Sequence, residues 1–390
     1  MSIFANPIQG VKIIAEFGVN HNNNFKLALK AVKEVAKAGA DCIKFQSYRA
    51  DTLVTKTAPK FWNWKGDADK TTQHGAYSAI QCNFNYKSPC YHTRFKDTKP
   101  YCRKRNAGCN GKGKHSMKCL ASVNKTDECG SYEELMNECK KYKIEFLSTP
   151  FDEEALMNLM NIDGVMGMKA IKVSSSDLTN IPFLIKIGFY KVPVLLSTGA
   201  STMDEIKEAL EAIGHKEVVL LHCTLCYPTK DIDSNLNLIS TLKANFPDYE
   251  VGLSDHTIGI LAPSLAVSMG AKVIEKHFTL NKKMDKSADH WLSVNPKELK
   301  ELVKNVRKAE KMMGSSEKRI FDCEQETYKY DKRSIVANCD ISAGEYLGDV
   351  KLICKRPGTG IKPKFIKDFA NKKAKVFIPQ DTIIQLDMME

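Results

Sequence analysis

Two lysines, Lys44 and Lys172, two histidines, His256 and His277, and two glutamates, Glu16 and Glu275, share one setting: each stands near the end of a short apolar run. Hydroxyls stand at the ends of such runs as well, namely Ser148 and Thr149, Ser174, Ser175 and Ser176, Ser197 and Thr198, Thr224, and Ser254. Gln46, Asp177, His222, Tyr227, Asp255 and Lys276 accompany them. Lysines among hydroxyls suit a small polyanion carrying phosphate and carboxylate, because ammonium groups and short O–H donors both serve anionic oxygens. Two imidazoles on neighbouring elements can share a divalent metal. The glutamates suit acid–base work or the orientation of a water.

Each group also has a plainer reading. VGLSDHTIG, residues 251 to 259, can be a strand end and a turn with Asp255 capping a helix. The lysines can be ion-pair partners of the glutamates, His222 a core histidine, and the serines of VSSSD a helix cap. The plain readings lose ground because the pattern recurs eight times: KIIAEFG, ADCIKFQ, IEFLSTPF, AIKVSSS, VPVLLSTG, VVLLHCT, VGLSDHT and AKVIEKHFT. Short runs nearly continuous in Val, Ile and Leu suit strands buried on both faces of a parallel sheet. Between them lie amphipathic helices. In STMDEIKEALEAIG, Thr202 and Glu205 have capping-box spacing, Ile206, Leu210 and Ile213 share a face, and Gly214 stops the helix. PKELKELVKNVRKAEKMMG, residues 296 to 314, reads as a final helix opened by proline. Eight strand–helix units predict an α/β fold, a (β/α)8 barrel, in which all eight polar ends meet at one mouth. A doubly wound sheet is the alternative.

The rest of the composition sets bounds. At 390 residues, with 43% apolar and 27% charged, the chain has the make-up of a globular protein of two or three domains. It shows no apolar run of membrane-spanning length and no secretory leader pattern, so the expected compartment is the cytoplasm. The formal charge of +12 is local: residues 91 to 125 hold ten Lys or Arg against Asp97, which leaves +3 for the remainder. Six of thirteen cysteines fall between Cys82 and Cys129, whereas Cys42, Cys223 and Cys354 sit in strand-like runs, where a thiol is ordinarily a small core residue.

These residues resemble the sialic acid (N-acetylneuraminate) synthase family, with its pseudaminate and legionaminate relatives. The motifs are AEFGVNHNNN, GADCIKFQ, FLSTPFD, KVSSSD, LLSTGAS, LHCTLCYPT, GLSDHT and EKHFT. The resemblance implies condensation of phosphoenolpyruvate with an N-acetylmannosamine-type aldose to a nine-carbon acid, with release of phosphate. It assigns a divalent ion, manganese first with magnesium or cobalt as substitutes, to His256 and His277. It assigns phosphoenolpyruvate to Lys44, Thr149, Lys172, Ser175, Ser197 and Ser254. Glu16, Gln46, Tyr227 and Asp289 match positions facing the substrate or the metal shell. Residues 332 to 390, through SIVANCDISAGEYL and VKLICKRPGTGIKP, resemble the family's antifreeze-like (SAF) domain, a small mixed β fold. That resemblance implies a homodimer in which the SAF domain covers the neighbouring barrel and Arg356 reaches the sugar. The expected organisation is a barrel over 1–314, a linker over 315–331 and the SAF domain over 332–390.

The sequence departs from the family pattern at Leu225, at Ser287 and Ala288, and most of all in a basic, cysteine-rich insert over about 81–130. The insert joins the second helix to the third strand in this reading, on the face opposite the mouth. It contains no C-x2-C pair; a structural zinc is one reading and an unfolded chain, poor in apolar residues, the plainer one. Two other functions compete: a Schiff-base aldolase using Lys44 or Lys172, and a nucleic-acid binder using the insert.

Overall fold

The computed structural model describes residues 2–60, 72–80, 131–162, 165–284 and 289–390. Each apolar run forms a strand: β1 (Lys12–Gly18), β2 (Cys42–Ser47), β3 (Glu145–Pro150), β4 (Ile171–Val173), β5 (Val194–Ser197), β6 (Val218–Cys223), β7 (Glu250–Asp255) and β8 (Val273–His277). All eight belong to one sheet of order β3-β2-β1-β8-β7-β6-β5-β4, and every ladder in it is parallel. First and last strands pair directly, with Glu16 opposite His277. A doubly wound sheet does not bring its first and last strands together, so the barrel reading holds. β3 and β4 lie side by side at the seam. The Ser148 amide donates to the Met168 sulfur there, 3.1 Å away, instead of to a strand carbonyl.

A barrel helix follows each strand: α1 (Phe25–Ala38), α2 (Tyr132–Tyr142), α3 (Glu153–Met160), α4 (Ile181–Gly188), α5 (Met203–Ile213), α6 (Leu238–Asn245), α7 (Leu261–Ser268) and α8 (Pro296–Met313). The expected capping box of α5 is present at Thr202 and Glu205, and Gly214 ends it in the left-handed region. Leu299, Leu302, Val303 and Val306 of α8 are buried, as the 3.6-residue period requires.

The placement of the insert is a correction. The chain leaves β2 through short helices, Ala50–Leu53 and Gln73–Ile80, and enters α2 at Ser131. α2 then leads straight into β3. Residues 81–130 therefore interrupt a strand-to-helix connection, which puts both attachment points on the mouth side. The Tyr132 hydroxyl confirms this by donating to the Gln46 carbonyl at the end of β2, 3.2 Å away. The insert itself, with its zinc and nucleic-acid readings, lies outside the described residues, as do Ser287 and Ala288.

Close packing leaves little room at Gly252. A Cβ there would meet the Val273 carbonyl at 2.5 Å and Leu221 Cδ2 at 2.7 Å. Gly252→Ala is expected to lower unfolding stability by about 1–3 kcal/mol, read from urea denaturation. An unchanged midpoint would mean that β7 has slack.

The chain divides into two compact units, Met1–Gly314 and Ser315–Glu390. The expected linker spans 315–331. It carries a 3-10 turn, Asp322–Glu324, and a helix, Gln325–Tyr330, and goes with the second unit. There β9 (Ser334–Ala337) and β10 (Leu352–Lys355) pair antiparallel. Ile335, Ile341, Leu347, Ile378 and Ile384 form the unit's own core. No helix among the described residues is long and apolar enough to cross a membrane.

Candidate active site

Alternation along each barrel strand decides which polar group enters the mouth. Glu16 lies opposite Lys44 on β2 and His277 on β8. Ser254 lies opposite Glu275 and Cys223. One cavity is lined by Glu16, Lys44, Gln46 and Thr149 from the first three strands. Lys172, Ser174, Ser175 and Ser197 line it from the next two, and Cys223, Tyr227, Ser254, His256, Glu275 and His277 from the last three. Residues one step out of phase go elsewhere. Lys276 and Asp255, expected among the mouth groups, form a fully buried pair 2.7 Å apart. His222 turns away and bonds the Ser234 carbonyl at 2.7 Å, so its core reading is correct.

The floor is a network of opposite charges. Lys44 Nζ lies 2.5 Å from Glu16 Oε2, 3.8 Å from Glu275 Oε2, and donates to Thr149 Oγ1 at 3.0 Å. Lys172 Nζ donates to Ser197 Oγ at 2.7 Å and the Val173 carbonyl at 2.8 Å, with Glu275 Oε1 at 4.0 Å. Ser254 Oγ donates to Glu275 Oε1 at 2.9 Å, and Gln46 Nε2 to Glu16 Oε1 at 3.0 Å. The ion-pair reading of the lysines is thus realised inside the cavity. The cap reading of VSSSD is realised in part: Ser174 caps the turn Ser175–Asp177, while Ser175 Oγ accepts from the Gly199 amide at 3.0 Å.

Charge in this floor is unevenly held. Burial raises Glu16 to about 7 even with Lys44 beside it. Burial works the same way on Glu275, but Lys172 and Lys44 outweigh it and hold that carboxyl below its ordinary value. Burial lowers Lys172. Burial and the neighbouring His256 push His277 well below the ordinary histidine range, so its imidazole is neutral at pH 7.

The two histidines fit an open metal site. Their ring centroids are 5.3 Å apart. His256 Nδ1 bonds the Thr224 carbonyl at 2.9 Å, so Nδ1 carries a proton and Nε2 is the ring nitrogen placed to ligate, the arrangement in which a backbone carbonyl orients a ligating imidazole. Among the described residues His277 Nδ1 is buried without a hydrogen-bond partner, and Asp289 Oδ2 stands 3.7 Å from it. Among the described residues no three His, Cys, Asp or Glu side chains converge as a metal-binding group. The donor set suits a metal that keeps positions for substrate, and does not suit a closed structural zinc.

A model of the NeuB family matches residues 31–108 and 85–318 of this chain, and a model of the SAF domain matches 332–390. The chain belongs to the NeuB family. The N,N'-diacetyllegionaminic acid synthase of Legionella pneumophila is 34% identical over 386 residues, spanning 97% of this chain and 94% of that protein. The N-acetylneuraminate-9-phosphate synthase of Mus musculus is 30% identical over 381 residues, spanning 97% and 92%. The crystal structure of N-acetylneuraminic acid (sialic acid) synthetase from Leptospira borgpetersenii aligns with a TM-score of 0.61 at 29% identity, over 82% of this chain and 90% of that one.

Within this NeuB-family barrel, two expected site residues stand apart from the cavity lining. Asp289 lies behind it, against His277. Arg356 belongs to the second unit, where its guanidinium pairs with Asp331 at 2.5 Å. Two lining residues, Cys223 and Phe151, escaped the sequence reading. Cys223, taken as a core thiol, is buried but faces the cavity; strand parity with Ser254 is the signal that finds it. Phe151 also lines the cavity and carries no chemical signature, and Leu225, named above as a departure from the family pattern, lines it too.

The raised Glu16 gives a pH test. Its folded pKa of about 7 exceeds its ordinary value of 4.5, so its protonated form favours the fold below pH 4.5. That stability is lost as pH rises through 7. Glu16→Gln removes this dependence. Its thermal stability relative to wild type is expected to rise steadily between pH 4.5 and 7. A difference flat across that window would mean that Glu16 is ionised throughout.

Proposed function

We propose that this chain is a sugar-acid synthase that condenses phosphoenolpyruvate with an N-acetyl aldose and releases phosphate. The observation that carries the proposal is the convergence of Lys44, Lys172 and a set of hydroxyls in one cavity with His256 and His277. With both lysines charged, Glu275 ionised and Glu16 partly protonated, the floor is net positive and receives a phosphate and a carboxylate. Thr149, Ser175, Ser197 and Ser254 supply donors to the same anion. A divalent ion on His256 and His277, manganese being the expected one, would supply an electrophile for the aldehyde oxygen. The methylene carbon of phosphoenolpyruvate forms the new bond to the aldehyde carbon. Water then adds to the substituted carbon, and the carbon–oxygen bond to phosphate breaks. Glu16, poised near neutrality, is suited to take the proton of that water, with Gln46 fixing its carboxyl. Tyr227 packs against the His256 ring, with centroids 4.0 Å apart and the planes tilted by 33°, and walls the acceptor side.

Mass spectrometry of products from phosphoenolpyruvate and a panel of N-acetyl aldoses tests this. One phosphate is expected per nine-carbon acid, and in heavy-oxygen water that phosphate stays unlabelled. One observation favours a second reading: a buried lysine of lowered pKa, Lys172, is what a Schiff-base aldolase needs. Borohydride trapping of a lysine adduct, without phosphate release, would decide for it.

The homodimer and the role of Arg356 remain part of this proposal. Mixing Arg356→Ala with Lys172→Ala protein, after subunit exchange, is expected to restore up to about a quarter of wild-type activity, because a hybrid dimer keeps one complete site. No recovery would assign each second unit to its own barrel.

A further inference from the structure

We infer that the buried Asp255–Lys276 pair is a positioning device: it ties the turn that carries His256 to the strand that carries His277, and so sets the spacing of the two imidazoles offered to a divalent cation. The inference rests on the metal proposed at those histidines and adds to it two residues that lie behind the cavity.

Asp255 and Lys276 lie opposite each other where β7 pairs with β8. Alternation turns both away from the mouth, and each is the immediate neighbour of a histidine that faces it. Asp255 Oδ1 accepts from the Thr257 amide at 2.8 Å, which closes a short turn with His256 at its centre. Asp255 Oδ2 accepts from Lys276 Nζ at 2.7 Å, and the same ammonium group donates to the Thr257 carbonyl. The Thr257 N–H and C=O are thus held one by each member of the pair. From the other side the Thr229 amide donates to the His256 carbonyl at 3.0 Å, and the Val294 amide to the His277 carbonyl at 2.8 Å. Both charged side chains are sealed from water, so water does not compete for these bonds.

The pairing of β7 with β8 ends at Asp255 and Lys276, one residue short of His256. The ladder alone therefore does not locate that histidine. Two ligands of one ion must each bring a nitrogen to about 2.1 Å from a common point, and such a constellation has to be held within about 0.5 Å. A buried ion pair is not needed for stability as such, since apolar residues of similar volume commonly serve as well. What the pair adds is direction: a charged donor and a charged acceptor aimed at particular backbone atoms.

The test uses full-length Asp255→Asn/Lys276→Met protein. The double substitution keeps the volume and an acceptor for the Thr257 amide, removes both charges and cuts the tie to β8. Manganese alone is titrated in, with paramagnetic resonance reading the free ion and urea denaturation run alongside. The unfolding midpoint is expected to stay near wild type while manganese binding weakens by at least about tenfold, the scale for groups that orient a ligand. Phosphoenolpyruvate binding to the metal-free protein, read by equilibrium dialysis, is expected to change less than about twofold, because Lys44 and Lys172 stand on β2 and β4, apart from the pair. Wild-type manganese affinity in the folded double variant would overturn the inference. So would a parallel loss of both ligands, which is what general loosening of the barrel produces. If the double variant does not fold, Asp255→Asn alone carries the test, since its amide still serves Thr257 and no longer accepts from the ammonium group. It is expected to weaken manganese binding by at least about threefold, and an unchanged affinity would overturn the inference. Wild-type protein that binds manganese no better than His277→Ala would overturn the metal reading, and the positioning role with it.

Discussion

Lys172→Met protein is expected to release phosphate from phosphoenolpyruvate about a hundred to a thousandfold more slowly than wild type, the cost of losing one preorganised donor to a developing charge. Lys172 reaches Ser197, the Val173 carbonyl and Glu275 from one ammonium group, so no neighbour can replace it. The substitution also strands Glu275, whose low pKa depends first on Lys172 and then on Lys44. Removing one partner of a buried pair ordinarily costs about 3–5 kcal/mol, and Lys44 at 3.8 Å holds the loss to the lower end. Lys172→Met/Glu275→Gln is therefore expected to be more stable than Lys172→Met, and equally inactive. Urea denaturation and a phosphate assay separate the two effects. Wild-type turnover in the single variant would remove Lys172 from the chemistry. A double variant no more stable than the single would mean that the pair does not carry the charge balance described.

His277→Ala is expected to lose manganese affinity by at least about a hundredfold, since even groups that merely orient a ligand contribute ten- to a hundredfold. Paramagnetic resonance of free manganese reads this without any turnover. In wild type, chelation is expected to abolish phosphate release, with manganese, magnesium or cobalt restoring it. His277 sits beside His256, Tyr227 and Asp289, so its truncation opens a pocket at the mouth and leaves the barrel core intact. A folded His277→Ala protein that binds manganese as wild type does would exclude that imidazole as a ligand. Undiminished turnover after exhaustive chelation would exclude the metal from the reaction.

The strands were legible because runs such as VVLLHC are apolar on both faces, and a parallel barrel buries both. Which of two adjacent polar residues enters the mouth was not legible, because parity depends on where each strand begins. Hence Cys223 reads as a core thiol and Asp255 as a companion of His256 at the mouth, whereas parity turns Cys223 and His256 to the cavity and His222 and Asp255 away from it. The insert falls between helix and strand only if the second barrel helix precedes it. YEELMNECKKY, with Leu135, Met136 and Cys139 buried, is that helix, and it follows the insert. Asp289 and Arg356 carry no local signature; only resemblance named them.

The seam between β3 and β4 has a consequence for local opening. Neighbouring strands elsewhere in the ring are zipped by backbone ladders, whereas here a sulfur contact stands in. Amides along this line have the least to lose on opening, so hydrogen exchange should find the barrel's weakest cooperative boundary there. Thr149 and Lys172 sit on its two banks. An anion held by both would bridge the gap, so occupancy of the cavity and mechanical closure of the barrel are one equilibrium.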